Sequence, residues 1–171
     1  MKEEIERTIR VLEGLPLWAG GRAGPVEWFE FGDEYEVTDR NGTTRTVREY
    51  ALHVTCEWRI VGPEGIVVGH MDKYFPAGDP YNEPPDFDDD KPGANRCDER
   101  IDALFAARAS SPLTVEATSA DHTGGIRLTL SDGYTLEVFP NHTLKYEHWR
   151  LFSPYTDEPH FVVTGNGIED G

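Results

Sequence analysis

Residues 46–60 read TVREYALHVTCEWRI, and their alternation is the clearest structural pattern in the chain. From Tyr50 to Ile60, large or apolar residues occupy every second position, and polar or small residues fall between them. A period of two is typical of a strand that buries one face. The stretch therefore predicts a single long half-buried strand, with these residues facing the core: Tyr50, Leu52, Val54, Cys56, Trp58 and Ile60.

Turn signals on both sides of this stretch predict hairpins. Asn41-Gly42 precedes it, the segment from Pro63 to Gly65 follows it, and Asp132-Gly133 separates two later alternating runs. Asn-Gly and Asp-Gly are strong signals for tight hairpin turns. Hairpins join neighbouring strands without crossovers, so we expect seven or eight mostly antiparallel strands in a strongly curved or barrel-like sheet.

Two segments have helical spacing. Ile5, Ile9 and Leu12 form one apolar stripe that Gly14 and Pro16 end, and a second stripe predicts a short helix near 97–109. The expected fold class is α+β, with an N-terminal helix. We expect the core to contain Leu52, Val54, Trp58, Ile60, Leu128, Leu136, Val138 and Trp149.

Length and charge limit the domain organisation and the partners. A chain of 171 residues suits a single α+β domain over 1–152, and the Pro- and Gly-containing stretch 153–171 suggests a partly ordered tail, with a short strand over 161–163. A net charge of −16 argues against nucleic acid and anionic membrane surfaces as partners. An acidic start and the lack of a long apolar run favour a cytoplasmic protein.

A proline-rich acidic segment interrupts the strand pattern, and we call residues 76–96 the acidic loop. It is expected to be extended and exposed, since prolines remove backbone donors and like charges repel. Residues 79–102 hold nine acids against three bases, a net charge of −6. Such density steers association with basic partners. The candidate partner-binding residues are Tyr81, Asp86, Phe87, Asp88, Asp89 and Asp90, and the competing interpretation is a disordered, solubilising insertion.

Metal and nucleophile motifs are weak in this sequence. Asp86, Asp88 and Asp90 have the 1, 3, 5 spacing of a calcium loop, but Lys91 and Cys97 stand where that loop needs glycine and glutamate. The six histidines lack zinc-ligand spacing. We therefore expect no cofactor and no metal, and the pattern leaves enzymatic activity open while favouring its absence.

A small polar cleft is the second candidate site. His53, Arg59 and Arg150 lie on the polar positions of predicted strands, where they could grip an anion. Arg127 could join them, opposite Glu137 or Glu57. The competing interpretation is that these arginines form structural cross-strand ion pairs.

Three motifs carry a resemblance to a protein family. The run Tyr50 to Ile60, the run Leu136 to Pro140 and the run Glu147 to Phe152 are similar, in residues and order, to a family of small uncharacterised actinobacterial proteins. The resemblance covers roughly residues 8–152, and Glu57 stands where proline is expected in many members of that family. It implies an immunity-protein-like domain and no catalytic residue.

Two functions follow from these patterns. The first is an acidic interaction protein, such as an immunity or inhibitor protein that neutralises a basic partner. The alternative is a small-molecule or metal-binding domain that uses the polar strand face around His53 and Arg59. The oligomeric state is left open by the sequence.

Overall fold

The computed structural model describes residues 1–170, and eleven strands make up most of it. The strands are β1 Pro16–Ala23, β2 Val26–Thr38, β3 Thr44–Val54, β4 Glu57–Gly62, β5 Gly65–Gly69, β6 Leu113–Ala120, β7 Ile126–Leu130, β8 Thr135–Phe139, β9 Glu147–Phe152, β10 Phe161–Thr164 and β11 Gly167–Asp170. The helices are α1 Lys2–Ile9 and α2 Arg96–Ala107, with three short 3₁₀ helices at Arg10–Leu12, His70–Tyr74 and Ser131–Gly133.

All strand pairs in the sheet are antiparallel, as predicted. Their order is β11-β10-β9-β3-β2-β1-β6-β7-β8-β4-β5, so the sheet is not closed and β11 and β5 are its edges. The three turn signals each form a hairpin, in β2–β3, β4–β5 and β7–β8. Both predicted helices are present, which confirms the α+β class. Strands dominate it, they outnumber the seven or eight expected, and the open sheet is not the closed barrel that was one of the two expected forms.

The long strand predicted over residues 46–60 is two strands, and that expectation was wrong. β3 ends at Val54 and β4 begins at Glu57. The two strands stand six places apart in the sheet order, about 29 Å in a flat sheet. The chain between Val54 and Glu57 spans at most about 11 Å. The sheet must therefore fold over on itself. Because the chain passes from β3 to β4 at Thr55 and Cys56, the alternating run contributes buried side chains to both parts of the sheet.

The strand pairing that joins the two halves of the sheet, β11 to β1 and β6 to β5 in the sheet order, is short. β1 pairs with β6 only at Pro16 with Thr114 and at Leu17 with Leu113. Between β3 and β4, the backbone N–H of Thr55 donates to the carbonyl of His148 over 2.8 Å. Across the core, the Trp149 indole N–H donates to the carbonyl of Gly124 over 2.8 Å.

β1 has no counterpart among the strands predicted from sequence. Its centre is Gly20-Gly21, a pair that reads as a strand breaker. The structure shows why both are glycine: an added Cβ would lie 2.7 Å from the Phe105 ring at Gly20 and 2.6 Å from the Trp28 ring at Gly21. Two aromatic rings therefore pack directly on the backbone of this strand.

The core confirms the expected apolar set. All eight residues predicted to be buried are at most 2% exposed. α1 packs against β6 through Ile5 and Ile9, and α2 packs against β1 and β5 through its buried residues. The segment after residue 152, expected to be only partly ordered, adds the β10–β11 hairpin to the edge of the same sheet. Among the helices of residues 1–170, none is long and apolar enough to cross a membrane.

Candidate functional site

The acidic loop leaves the fold and returns to it at one narrow base. The N–H of Ala77 donates to the carbonyl of Ala94 over 2.9 Å, and the N–H of Arg96 donates to the carbonyl of Phe75 over 2.8 Å. Pro76 and Asn95 form an isolated antiparallel bridge between these bonds. The base is thus a miniature two-stranded ladder, which fixes where the loop begins and ends.

Arg22 on β1 binds the loop at Asp89 and Asp90. Its side chain is only 5% exposed, and its Nε donates to Asp98 Oδ1 over 3.2 Å. Its Nη2 donates to the backbone carbonyl of Asp89 over 2.9 Å, and Asp90 Oδ1 lies 3.6 Å from Nη1. A guanidinium is planar and donates in fixed directions, so several acceptors hold it in one orientation. Arg22 therefore ties the loop to both β1 and α2.

The start of α2 completes this attachment. The Asn95 side-chain oxygen accepts from the N–H of Asp98 over 2.8 Å, which caps the helix. Its amide Nδ2 donates to the carbonyl of Asp89 over 3.0 Å, and Asp98 Oδ2 accepts from the N–H of Gly93 over 2.8 Å. Asn95 is fully buried. The hydrogen bonds that order the loop come from groups at its base and from β1.

The predicted partner-binding side chains remain outside this network for the most part. Tyr81 is 96% exposed, and Asp86, Asp88 and Asp90 are exposed, while Phe87 and Asp89 are half-buried. Asp88 Oδ1 accepts the N–H of Asp90 over 3.1 Å and forms a local turn. The carboxylates of Asp88, Asp89 and Asp90 approach within 4.8 Å of one another. The structure thus groups these three acids, where sequence spacing grouped Asp86, Asp88 and Asp90.

A groove of about 370 Å³ runs beside the loop, between β1 and α2. Its floor includes Gly20 and Gly21, Trp28 lines it, and Asp90 and Asp102 carry its exposed negative charge. We call the acidic loop and this groove together the acidic face. An aromatic ring beside carboxylates suits a cationic side chain.

Exposed apolar side chains lead into the acidic face. They lie in β5, in the 3₁₀ helix over His70–Tyr74 and just after it: Ile66, Met71, Tyr74 and Phe75. This segment is anchored to α2, because Arg100 donates to the carbonyl of Val67 and Arg96 pairs with Asp72 over 3.4 Å. Helix α2 is therefore bonded both to the acidic loop and to the segment that holds these four exposed apolar side chains, which we call the apolar strip.

A buried acid lies under the acidic face. Glu27 on β2 is 2% exposed, its Oε1 accepts from the Cys97 thiol over 3.7 Å, and its Oε2 has no partner. Burial raises the pKa of Glu27 to about 7, against the pull of Arg22. Burial and the neighbouring Glu27 also raise the pKa of Cys97 well above its usual range, so this thiol is unreactive.

The raised pKa of Glu27 predicts a pH dependence of folding. Its folded-state pKa of about 7 lies above the model-compound value of 4.5. The folded state then binds more protons between these values, so its stability falls as the pH rises from about 4.5 to about 7. We expect Glu27→Gln to remove this fall, as measured by urea unfolding across that range. The exposed Glu36→Gln serves as control, and an unchanged pH profile in Glu27→Gln would contradict the assignment.

The second candidate site is divided between the two halves of the sheet. His53 on β3 is the register partner of Arg150 on β9. Arg59 lies on β4, where its Nε donates to Glu137 Oε2 over 2.6 Å, and Arg127 Nη1 donates to Glu137 Oε1 over 2.7 Å. The contacts of Arg59 are with Glu137 and the Phe139 ring, so Arg59, Glu137 and Arg127 form a cross-strand ion-pair cluster.

His53 lines a separate pocket of about 370 Å³. Its ring packs edge-on against Phe152, which stacks on His160 at 4.1 Å between ring centroids. Arg150 pairs with Glu147 and lies within hydrogen-bond distance of His160 Nδ1, at 3.2 Å. Burial and Arg150 lower the pKa values of His53 and His160, so both imidazoles are neutral at pH 7. Arg150 is thus already paired within this cluster.

Sequence reasoning missed Arg22, Asn95 and the glycine pair of β1. Arg22 stands between Gly21 and Ala23 in a stretch that lacks strand periodicity, so nothing local marks it as buried. Asn95 gave a usable signal, because an asparagine three residues before an acid is a helix-start pattern.

Comparisons with known proteins leave the family open. No protein-family profile matches the chain. No curated protein matches it, and no solved structure matches its fold. The resemblance to small actinobacterial proteins therefore stays a prediction.

Proposed function

We propose that the protein is an acidic interaction protein that binds a basic protein partner through the acidic face. The observation that carries this proposal is Arg22: a buried guanidinium holds the backbone of the loop while the acidic side chains face solvent. A merely solubilising insertion needs no such attachment. A pre-ordered loop loses less conformational entropy when it binds.

Charge and shape support the same proposal. The net charge of −16 attracts basic surfaces over long range. The groove offers Trp28 and the exposed Asp102 carboxylate to a lysine or arginine side chain, while its other exposed carboxylate, Asp90, lies 3.6 Å from Arg22 Nη1. Tyr81 and the apolar strip supply large side chains of the kind that dominate interface energetics. An inhibitor or immunity protein that covers a basic enzyme or toxin is the form of this function that we favour.

Two variants of equal charge test the proposal. The loop variant changes Asp86, Asp88, Asp89 and Asp90 to Asn, which retains the side-chain oxygens that accept backbone hydrogen bonds. The control variant removes four exposed charges elsewhere, with Glu3, Glu36, Glu116 and Glu169 changed to Gln. We expect wild type and control to capture the same basic protein from the native lysate at low salt, with at least tenfold less captured by the loop variant. Equal capture by both variants would show that only net charge matters.

A further inference from the structure

Two histidines of the described chain meet next to the β10–β11 hairpin. His148 on β9 and His142 in the preceding loop approach with Nε2 and Nδ1 3.1 Å apart. Their ring centroids are 4.1 Å apart and the rings are tilted by 58°. This pair has no role in the acidic face.

His148 is an unusual residue for a strand core. It is fully buried, and its Nδ1 has no hydrogen-bond partner. The other nitrogen, Nε2, is hydrogen-bonded to Nδ1 of His142. A divalent cation is bound by a ring nitrogen of a neutral imidazole, and Nε2 is the His148 nitrogen that lies beside His142. The unpartnered Nδ1 is therefore not the atom that the two rings could share with a ligand.

The geometry of the two nitrogens fits a shared metal ion. Zinc–nitrogen bonds of about 2.0–2.1 Å in a tetrahedral site separate two ligand nitrogens by about 3.3 Å. The observed 3.1 Å is close to that separation. We propose that His142 and His148 bind a divalent transition-metal ion such as Zn²⁺.

His142 and His148 both line a cavity of about 550 Å³. Asn141, Thr143 and Asn166 line it and offer oxygen atoms or hold water. Two imidazoles with oxygen ligands suit Zn²⁺ or Cu²⁺, and they do not suit Ca²⁺, which prefers oxygen alone. An ion here would join the 140–146 loop to β9, since the two ligands come from these two segments.

Zinc titration of the full chain tests this site. His142 is exposed, so His142→Ala is expected to fold, and we expect it to bind Zn²⁺ at least tenfold more weakly than wild type by isothermal titration calorimetry. His122→Ala, at an exposed histidine in another loop, is the matched control and should bind like wild type. Wild-type zinc affinity in His142→Ala, or no zinc binding by wild type at about 1 mM, would overturn the proposal.

Copper spectroscopy separates this site from the acidic cluster. One equivalent of Cu²⁺ on wild type should give nitrogen hyperfine structure from two imidazoles in the electron paramagnetic resonance spectrum. His142→Ala should lose one of the nitrogens. A spectrum with oxygen ligands only would place the ion at Asp88, Asp89 and Asp90 and would overturn the histidine site.

Discussion

Trp149→Ala is expected to lower the free energy of unfolding by about 3–5 kcal/mol. Trp149 is fully buried, and it packs between the two halves of the folded-over sheet. Its removal leaves a large cavity and also leaves the carbonyl of Gly124 without its indole donor. Urea denaturation followed by circular dichroism measures the loss.

Conservative changes at two tryptophans provide the control for this prediction. Trp58 is also buried, yet its indole N–H has no partner. Trp58→Phe should therefore cost less than Trp149→Phe, because only the second change breaks a hydrogen bond. Equal losses for both would show that the hydrogen bond from Trp149 to Gly124 adds no measurable stability.

Arg22→Ala should produce the second large effect, a loss of about 3 kcal/mol, because it removes one partner of a buried ion pair. It leaves the Asp98 carboxylate without its cation and frees the carbonyl of Asp89. We expect limited proteolysis to cut within residues 76–96 of the variant under conditions where wild type is resistant.

The exposed Arg40 in the β2–β3 turn supplies the matched control. Arg40→Ala removes the same charge and should change stability by less than about 0.5 kcal/mol. If Arg22→Ala resembled Arg40→Ala in stability and in loop cleavage, then Arg22 would not hold the loop.

Local signals in the sequence predicted the hairpins and the core. Asn41-Gly42 places a glycine at φ 81° in the β2–β3 turn, a conformation that other residues rarely adopt. Alternation identified the buried face from Leu52 to Ile60 correctly, although it could not show that the run changes sheet halves at Thr55. Alternation records which side chains are buried and carries no information about which strands pair.

The parts of the site that depend on long-range contacts could not be predicted. Arg22 meets Asp98, 76 positions later, and Glu27 meets Cys97, 70 positions later. His142 and His148 are separated by five residues, which is a spacing that zinc-binding histidines use, but the cysteine pair that completes such a motif is absent from the sequence. In each case the tertiary fold, rather than any local period, brings the groups together.

The most direct test of the acidic face is hydrogen–deuterium exchange of the captured complex. Amides within residues 79–102, together with those of β1 along the groove, should exchange at least tenfold more slowly in the complex than in the free protein. The same amides should show no slowing when the loop variant is mixed with the partner. Protection confined to other parts of the chain, with residues 79–102 exchanging as in the free protein, would contradict the proposed function.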